Sequence, residues 1–249
     1  MSTADFYDAI EPFYHLIYAD WQASIDRQGE ALSKVIRARC DAPRFVLDAT
    51  CGIGTQTLGL AARGFRVTAS DVSPASIRRL QVEASARQLQ VDASASDIRQ
   101  LWEHHRRTFD VVVSCDNALP HLHPNDMPLA LRQMFLCTRI GGSCLITVRD
   151  YANENLTGQQ LRPYGVRQLN GRRVIAFQTW DCREDSYDLG LYFVEDNGRD
   201  PPTCHCARST YYPISTDRLI GMMTDAGFVN VERLDGVFFQ PVLLGERRG

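Results

Sequence analysis

Two glycines and two carboxylates are the residues of this chain whose types and spacing point most directly to chemistry. Gly52 and Gly54 follow a short apolar run that ends in Asp48, within Val46-Leu-Asp-Ala-Thr-Cys-Gly-Ile-Gly-Thr55. Nineteen residues after Gly52, a second apolar run, Arg66-Val-Thr-Ala-Ser70, ends in Asp71. Bare glycine backbone lets a ligand approach closely, and an acid at the tip of the next strand accepts hydrogen bonds from ribose hydroxyls. Strand, glycine turn, helix, strand and acid in that order make a nucleoside-binding unit. Asn117 and His121 follow the buried run Val111-Val-Val-Ser-Cys115. They fall just past a parallel strand's carboxyl end, where sites form. The alternative for His121 is a hydrogen-bonded structural histidine.

Gly52-Ile-Gly54 taken alone suits a dinucleotide. The third glycine of that fingerprint is replaced by Thr57. Asp48 would lie near a pyrophosphate and repel it, whereas a cationic ligand would be attracted. An NAD(P)-dependent oxidoreductase also wants a hydride-relay set, and no Ser-Tyr-x-x-x-Lys occurs. S-Adenosylmethionine carries an ammonium and a sulfonium and has no phosphate, so it suits the turn better.

The elements that must hold these residues can be read from apolar periodicity. Residues 1–43 are helical and aromatic, with Tyr7, Tyr14, Tyr18 and Trp21 along one stretch. Such a stripe is ordinarily a core-facing helix side, yet an aromatic face also attracts a cation. From 44 to 150 strands and helices alternate, which predicts a parallel sheet with helices on both faces. Ser73-Pro74 is a helix start, with a capping hydroxyl and a proline at the first helical position. Residues 151–214 change to alternating strands with turns at Asn170-Gly171 and Asn197-Gly198, a strong hairpin signal. Strands at 174–180, 189–194 and 206–212 form a small antiparallel sheet, inserted after strand five. The doubly wound pattern resumes at 215–249, with a helix capped by Gly227 and two last strands at 228–233 and 236–244.

Composition bounds the class. With 249 residues, 44% apolar and 23% charged, the chain can bury one large α/β core. A net charge of −3 without any basic tract disfavours nucleic acid. The amino terminus has no basic start or apolar core, and no apolar run approaches a membrane span, so a cytoplasmic protein is expected. The eight cysteines are scattered and read as reduced thiols. Cys204-His205-Cys206 lacks the remaining ligands of a metal site, and on a strand His205 faces away from both cysteines, so no metal is expected.

The segment Val46–Thr55 resembles the first motif of class I SAM-dependent methyltransferases. Ser70-Asp-Val-Ser73, Ser94-Ala-Ser-Asp-Ile-Arg99, Phe109-Asp-Val-Val-Val-Ser-Cys-Asp-Asn117, Gly141-Gly142 and Ala226-Gly-Phe-Val229 are similar to the later motifs. The likeness covers about 44–150 and 215–245. It implies a Rossmann-like, seven-stranded doubly wound sheet whose last strand inserts antiparallel. It further implies that S-adenosyl-L-methionine is held by Asp48, Thr50, Gly52, Gly54, Asp71, Val72, Asp97, Ile98 and Cys115. Asp71 would take the ribose and Asp97 the adenine amine; a loop N-cap is the plain alternative for Asp97. Cys115-Asp-Asn-Ala-Leu-Pro-His-Leu122 is similar to glycine/sarcosine-type N-methyltransferases, which have an aromatic N-terminal lid and an insertion after strand five. This narrower likeness implies roles at the reacting end for Tyr18, Asn117, His121 and Arg149. Arg149, in Arg149-Asp-Tyr151, would grip a carboxylate of an amino-acid-like acceptor, against a surface ion pair as the plain reading. The expected domains are a lid at 1–43, a cofactor domain at 44–150 with 215–249, and a substrate-side insertion at 151–214. The expected function is methyl transfer to a small molecule, an amine or amino-acid-like acceptor. O- or C-methylation, or a SAM reaction that leaves the methyl group in place, is the alternative within the class, and a non-catalytic nucleoside sensor lies outside it.

Overall fold

A computed structural model describes all 249 residues. The chain opens with α1 (Thr3–Tyr14) and α2 (Trp21–Arg39). Helix α1 starts on a reciprocal cap: Asp5 N–H donates to Ser2 Oγ and Ser2 N–H to Asp5 Oδ2, both at 3.1 Å. Then follow β1 (Phe45–Asp48), α3 (Thr55–Ala61), β2 (Arg66–Asp71), α4 (Pro74–Ala86), β3 (Val91–Ala95), α5 (Leu101–His105), β4 (Phe109–Ser114), α6 (Met127–Cys137) and β5 (Thr138–Thr147). As expected, Ser73 caps α4, accepting from Ser76 N–H at 3.0 Å with Pro74 at its start. The hairpins β6 (Gln159–Leu169), β7 (Arg172–Cys182), β8 (Tyr187–Asp196) and β9 (Thr203–Tyr211) come next. The chain closes with α7 (Thr216–Asp225), β10 (Val229–Leu234) and β11 (Val242–Glu246).

The main sheet has seven strands in the order β10-β11-β5-β4-β1-β2-β3, with β11 antiparallel to both neighbours. This is the expected doubly wound Rossmann-like sheet. Val46, Leu47, Val111, Val112 and Val113 are wholly buried, as strands covered on both faces must be. Strand order reverses between β1 and β4, and a crevice opens there beyond the strand carboxyl ends.

The second sheet runs β6-β7-β8-β9, all antiparallel. Asn170 and Gly171, at φ 50° and 76°, make the two-residue turn of its first hairpin. This sheet has one strand more than the three expected. The extra strand, β6, carries Pro163 and a register shift before Gly165, and both blur its alternation. The final strand is shorter than expected, because Pro241 precedes Val242 and residues 235–241 form a loop.

The first sheet's helices and the second sheet share one core. Phe6, Ile10 and Phe13 of α1 pack with Trp180, Tyr187 and Phe193 of the small sheet. The other side of α1 meets α4, where Asp8 Oδ1 accepts from Ser73 Oγ at 2.5 Å and Ala75 N–H at 3.0 Å. Helix α1 therefore lies across the crevice, tied on both sides. Helix α2 is fixed differently. Gly29 and Gly59 put α2 and α3 backbone to backbone, and a Cβ on Gly59 would stand 2.5 Å from the Ile25 carbonyl oxygen and 2.7 Å from Gly29 Cα.

Candidate functional site

A cavity of about 360 Å³ fills the crevice, within the size range of small-ligand sites. Four strand ends wall it in turn: residues 49–53 after β1, 71–72 at the end of β2, 96–99 after β3, and 115–116 after β4. Tyr7 and Tyr14 of α1 and Tyr18 beyond it form the roof.

The glycine turn is shaped by its backbone. Gly54 has φ 97°, and a Cβ there would run into Leu80 Cδ1. A side chain at this position would meet both backbone strain and a clash. Gly54 lies behind the wall and shapes the bend. Gly52 has φ 50°, and a Cβ built on it meets nothing within 4 Å. That open space belongs to the cavity, so the turn forms a cradle that a side chain would fill.

Asp48 also lies behind the wall, 1% exposed. Its Oδ2 accepts from Thr57 Oγ1 at 2.6 Å. Thr57 thus occupies the third-glycine place with a side chain turned onto Asp48. Burial pushes the Asp48 carboxyl up to about 6. A carboxyl raised by folding stabilises the fold while protonated, and that stability is lost as pH rises from about 4 to about 6. Asp48→Asn can keep the Thr57 hydrogen bond without the buried charge. It is expected to be more stable than the wild type near neutral pH by about 1–3 kcal/mol, with no gain near pH 3.5. Urea unfolding at the two pH values measures this; a variant weaker at neutral pH contradicts it.

Asp71 is 8% exposed and ties the turn to the next strand. Its Oδ2 accepts from Gly52 N–H at 2.8 Å and its Oδ1 from Ser73 N–H at 2.9 Å. Each carboxylate oxygen keeps a second lone pair for a hydroxyl donor. Burial raises its carboxyl above the usual range, while those two N–H donors pull it back. Val72 stands beside it on the wall. Asp97 and Ile98 are on the wall as well, but Asp97 is engaged by Arg99, whose Nη2 lies 2.6 Å from Oδ2. Arg99 is itself a wall residue that sequence reasoning passed over. Thr50 shares a hydrogen bond of 2.9 Å with Ser114 Oγ, and Cys115 is buried beside it, its thiol pushed up by desolvation.

The opposite end is phenolic. Tyr18 donates to Asp116 Oδ2 at 3.0 Å. Tyr7 Oη pairs with His121 Nε2 at 2.8 Å, and His121 Nδ1 with Ser209 Oγ at 3.1 Å. The ring of Tyr211 lies 4.0 Å from that imidazole. Desolvation among these rings pulls His121 down to about 3, so it is neutral at physiological pH. Of the residues expected at this end, Tyr18 and His121 are on the wall, while Asn117 and Arg149 are set back from it. Asn117 is a structural tie: its Nδ2 donates to Tyr151 Oη at 2.8 Å and its Oδ1 accepts from Arg149 N–H at 3.0 Å. The Arg149 guanidinium pairs with Glu154 at 3.0 Å and lies 5.0 Å over the Trp180 ring. Its Nε is buried without a partner.

Asp116 and the tyrosines Tyr7 and Tyr14 were not singled out as site residues from sequence. The tyrosines read as a core stripe because helical periodicity reports a covered face and not what covers it. Asp116 was passed over in favour of its neighbours, although an acid one residue beyond a buried parallel strand was the available signal.

Residues 46–142 match a family described as a methyltransferase domain. No curated protein matches the chain. Three solved structures align over nearly the whole length. An S-adenosylmethionine-dependent methyltransferase from Clostridium acetobutylicum superposes with a TM-score of 0.76 at 14% identity, covering 99% of this chain and 98% of that one. An amino pentose methyltransferase from Micromonospora echinaspora, solved with SAM bound, gives 0.78 at 17%, covering 95% of each chain. A sugar N-methyltransferase from Streptoalloteichus gives 0.79 at 17%, covering 100% and 95%. Residues 46–142 thus carry a methyltransferase-domain match, and the whole chain has the fold of S-adenosylmethionine-dependent methyltransferases. The glycine cradle, the free lone pairs of Asp71 and a wall whose one guanidinium, Arg99, is already paired with Asp97 fit that cofactor.

Proposed function

We propose that this enzyme transfers a methyl group from S-adenosylmethionine to the nitrogen of a small-molecule amine. One continuous cavity carries the reading. A nucleoside cradle at Gly52 and Asp71 opens into a compartment of phenols and a neutral imidazole. When bound, the cofactor supplies a methyl carbon on a sulfonium, a good leaving group. The protein has to align a nucleophile, keep water out and accept a proton.

The chain's residues divide that work. Asp71 receives the ribose and Gly52 lets the ligand lie against backbone; Thr50, Val72, Asp97, Ile98 and Cys115 complete the cofactor wall, with Asp48 and Gly54 shaping it from behind. Residues 1–43 serve as a lid over the domain formed by 44–150 and 215–249. The insertion at 151–214 closes the acceptor side. Tyr18 and His121 touch the acceptor, and Asn117 and Arg149 position the loop beyond β5. An amine nitrogen is supported by the two structural neighbours whose own acceptors are an amino pentose and a sugar nitrogen. A dinucleotide is disfavoured, because the wall carries Asp71, Asp97 and Asp116 against one guanidinium, Arg99.

Incubating the enzyme with SAM and a panel of amines and matching alcohols, with mass spectrometry of the products, tests the reading. Amines are expected to gain one methyl group each. Methylation of alcohols alone contradicts the nitrogen acceptor, and turnover without methylated product contradicts methyl transfer.

A further inference from the structure

Directly after β4 the backbone makes an unusual turn. Asp116 and Asn117 are consecutive non-glycine residues in the left-handed region, at φ 57° and 65°. Aspartate and asparagine tolerate that region better than most, and retained strain clusters at functional positions. The turn separates the two side chains. Asn117 joins the loop behind the wall, while Asp116 stands on the wall of the cavity.

Three other elements hold Asp116 in place. Tyr18 Oη donates to Oδ2 at 3.0 Å, Gln240 Nε2 to Oδ1 at 3.3 Å, and its own N–H donates to Thr147 Oγ1 at 2.8 Å. Both carboxylate partners are neutral. The guanidinium whose charge reaches it, Arg149, is already paired with Glu154. The groups facing Asp116 are Tyr14, Tyr18, Cys115, Tyr164, Tyr211 and Arg149. All but Arg149 are neutral near pH 7, since burial pushes the phenols and the thiol up. Asp116 is half-buried on the cavity wall with only neutral partners on its two oxygens, so it is placed to take the positive charge of a ligand in the cavity.

We infer that Asp116 is the receptor for the acceptor's ammonium group, and that the enzyme selects basic amines that carry no carboxylate of their own. The inference rests on the methyl-transfer reading above and narrows its substrate. An ammonium entering beneath Tyr14 and Tyr18 pairs with Asp116. It then passes one proton to a carboxylate oxygen: an N–H bond breaks, an O–H bond forms, and the pair stays on nitrogen. Desolvation raises the Asp116 carboxyl and so favours this transfer. That pair forms the N–C bond to the methyl group as the carbon–sulfur pair returns to sulfur. The product leaves as a methylammonium and Asp116 releases its proton to water. An acceptor carboxylate has no counterpart here. The single guanidinium of the wall, Arg99, is bound to Asp97 and Asp126 at 2.6 and 2.8 Å.

Ligand-observed NMR titration of the whole protein, loaded with S-adenosylhomocysteine, tests this with three probes built on one ring. Cyclohexylamine is expected to bind roughly tenfold more tightly than cyclohexanol or 1-aminocyclohexanecarboxylate, a difference of one decade in Kd. Asp116→Asn is expected to erase that preference while binding S-adenosylhomocysteine like the wild type. No preference in the wild type, or the same preference in the variant, overturns the inference. So does equal binding of the carboxylate-bearing probe. Loss of S-adenosylhomocysteine binding in Asp116→Asn also overturns it, by placing the carboxylate on the cofactor's own ammonium. A wild type that fails to bind S-adenosylhomocysteine fails the methyl-transfer reading itself, a result distinct from the others.

Discussion

Asp71→Ala is expected to raise the Kd for S-adenosylmethionine about a hundredfold or more. Hydrogen bonds to a charged acceptor contribute roughly 1.5–3 kcal/mol each, and a ribose offers two hydroxyls to the same carboxylate. Even the lower figure, taken twice, corresponds to about two decades in Kd. The substitution acts a second way, because Gly52 and Ser73 lose the acceptors of their N–H groups. Freed from Asp71, the turn is no longer tied to β2 and the cradle loosens. Asp71→Asn keeps one acceptor oxygen and is expected to fall between wild type and Asp71→Ala. Calorimetric titration measures all three, with circular dichroism confirming that the variants fold. Unchanged affinity in Asp71→Ala removes the ribose assignment and with it the reading of the turn.

The second large effect is on stability and lies far from the ligand. Gly59→Ala is expected to cost roughly 3 kcal/mol, the upper part of the range for overpacking. The added methyl would meet backbone atoms, the Ile25 carbonyl and Gly29 Cα, which have no rotamer by which to yield. The helices α2 and α3 must move apart instead, opening contacts along both. For a chain of this size that corresponds to a fall in Tm of roughly 6–12 °C. Gly29→Ala meets Gly59 Cα at 2.5 Å and is expected to behave alike. Once one methyl has separated the helices, the second has less to displace. The double variant is therefore expected to be less destabilised than the sum of the singles, as coupled neighbours are. Differential scanning calorimetry of the three variants decides; additive or negligible losses mean that the helices do not meet where the two glycines face each other.

Much of the fold was legible because local chemistry and global topology agree in it. The cap at Ser73-Pro74, the turn at Asn170-Gly171 and the apolar runs of β1 and β4 each have one reading, and the structure keeps it. Strand β6 was obscured because Pro163 and the bulge at Gly165 interrupt the alternation that marks a strand. The wall at the glycine-turn end was equally open to sequence reasoning, since its residues end a strand or follow one within a few positions. The phenolic end was open only in part: Tyr18 and His121 were expected there and stand on the wall, and Asp116 was not expected. Asp116 gains its meaning from Tyr18, Gln240 and Thr147, which lie 98, 124 and 31 residues away in the chain. Arg149 stands just past β5, and its ion pair with Glu154 depends on the path of the loop between them. The roof tyrosines carry helical spacing, and spacing alone does not separate a face turned to protein from one turned to a ligand.

A crystal structure of the protein with S-adenosylhomocysteine tests the central claim most directly. The ribose is expected on Asp71 and the adenine beside Asp97 and Ile98, with the sulfur directed toward Tyr18 and Asp116. Ligand density outside this cavity, or a dinucleotide bound in its place, contradicts the account.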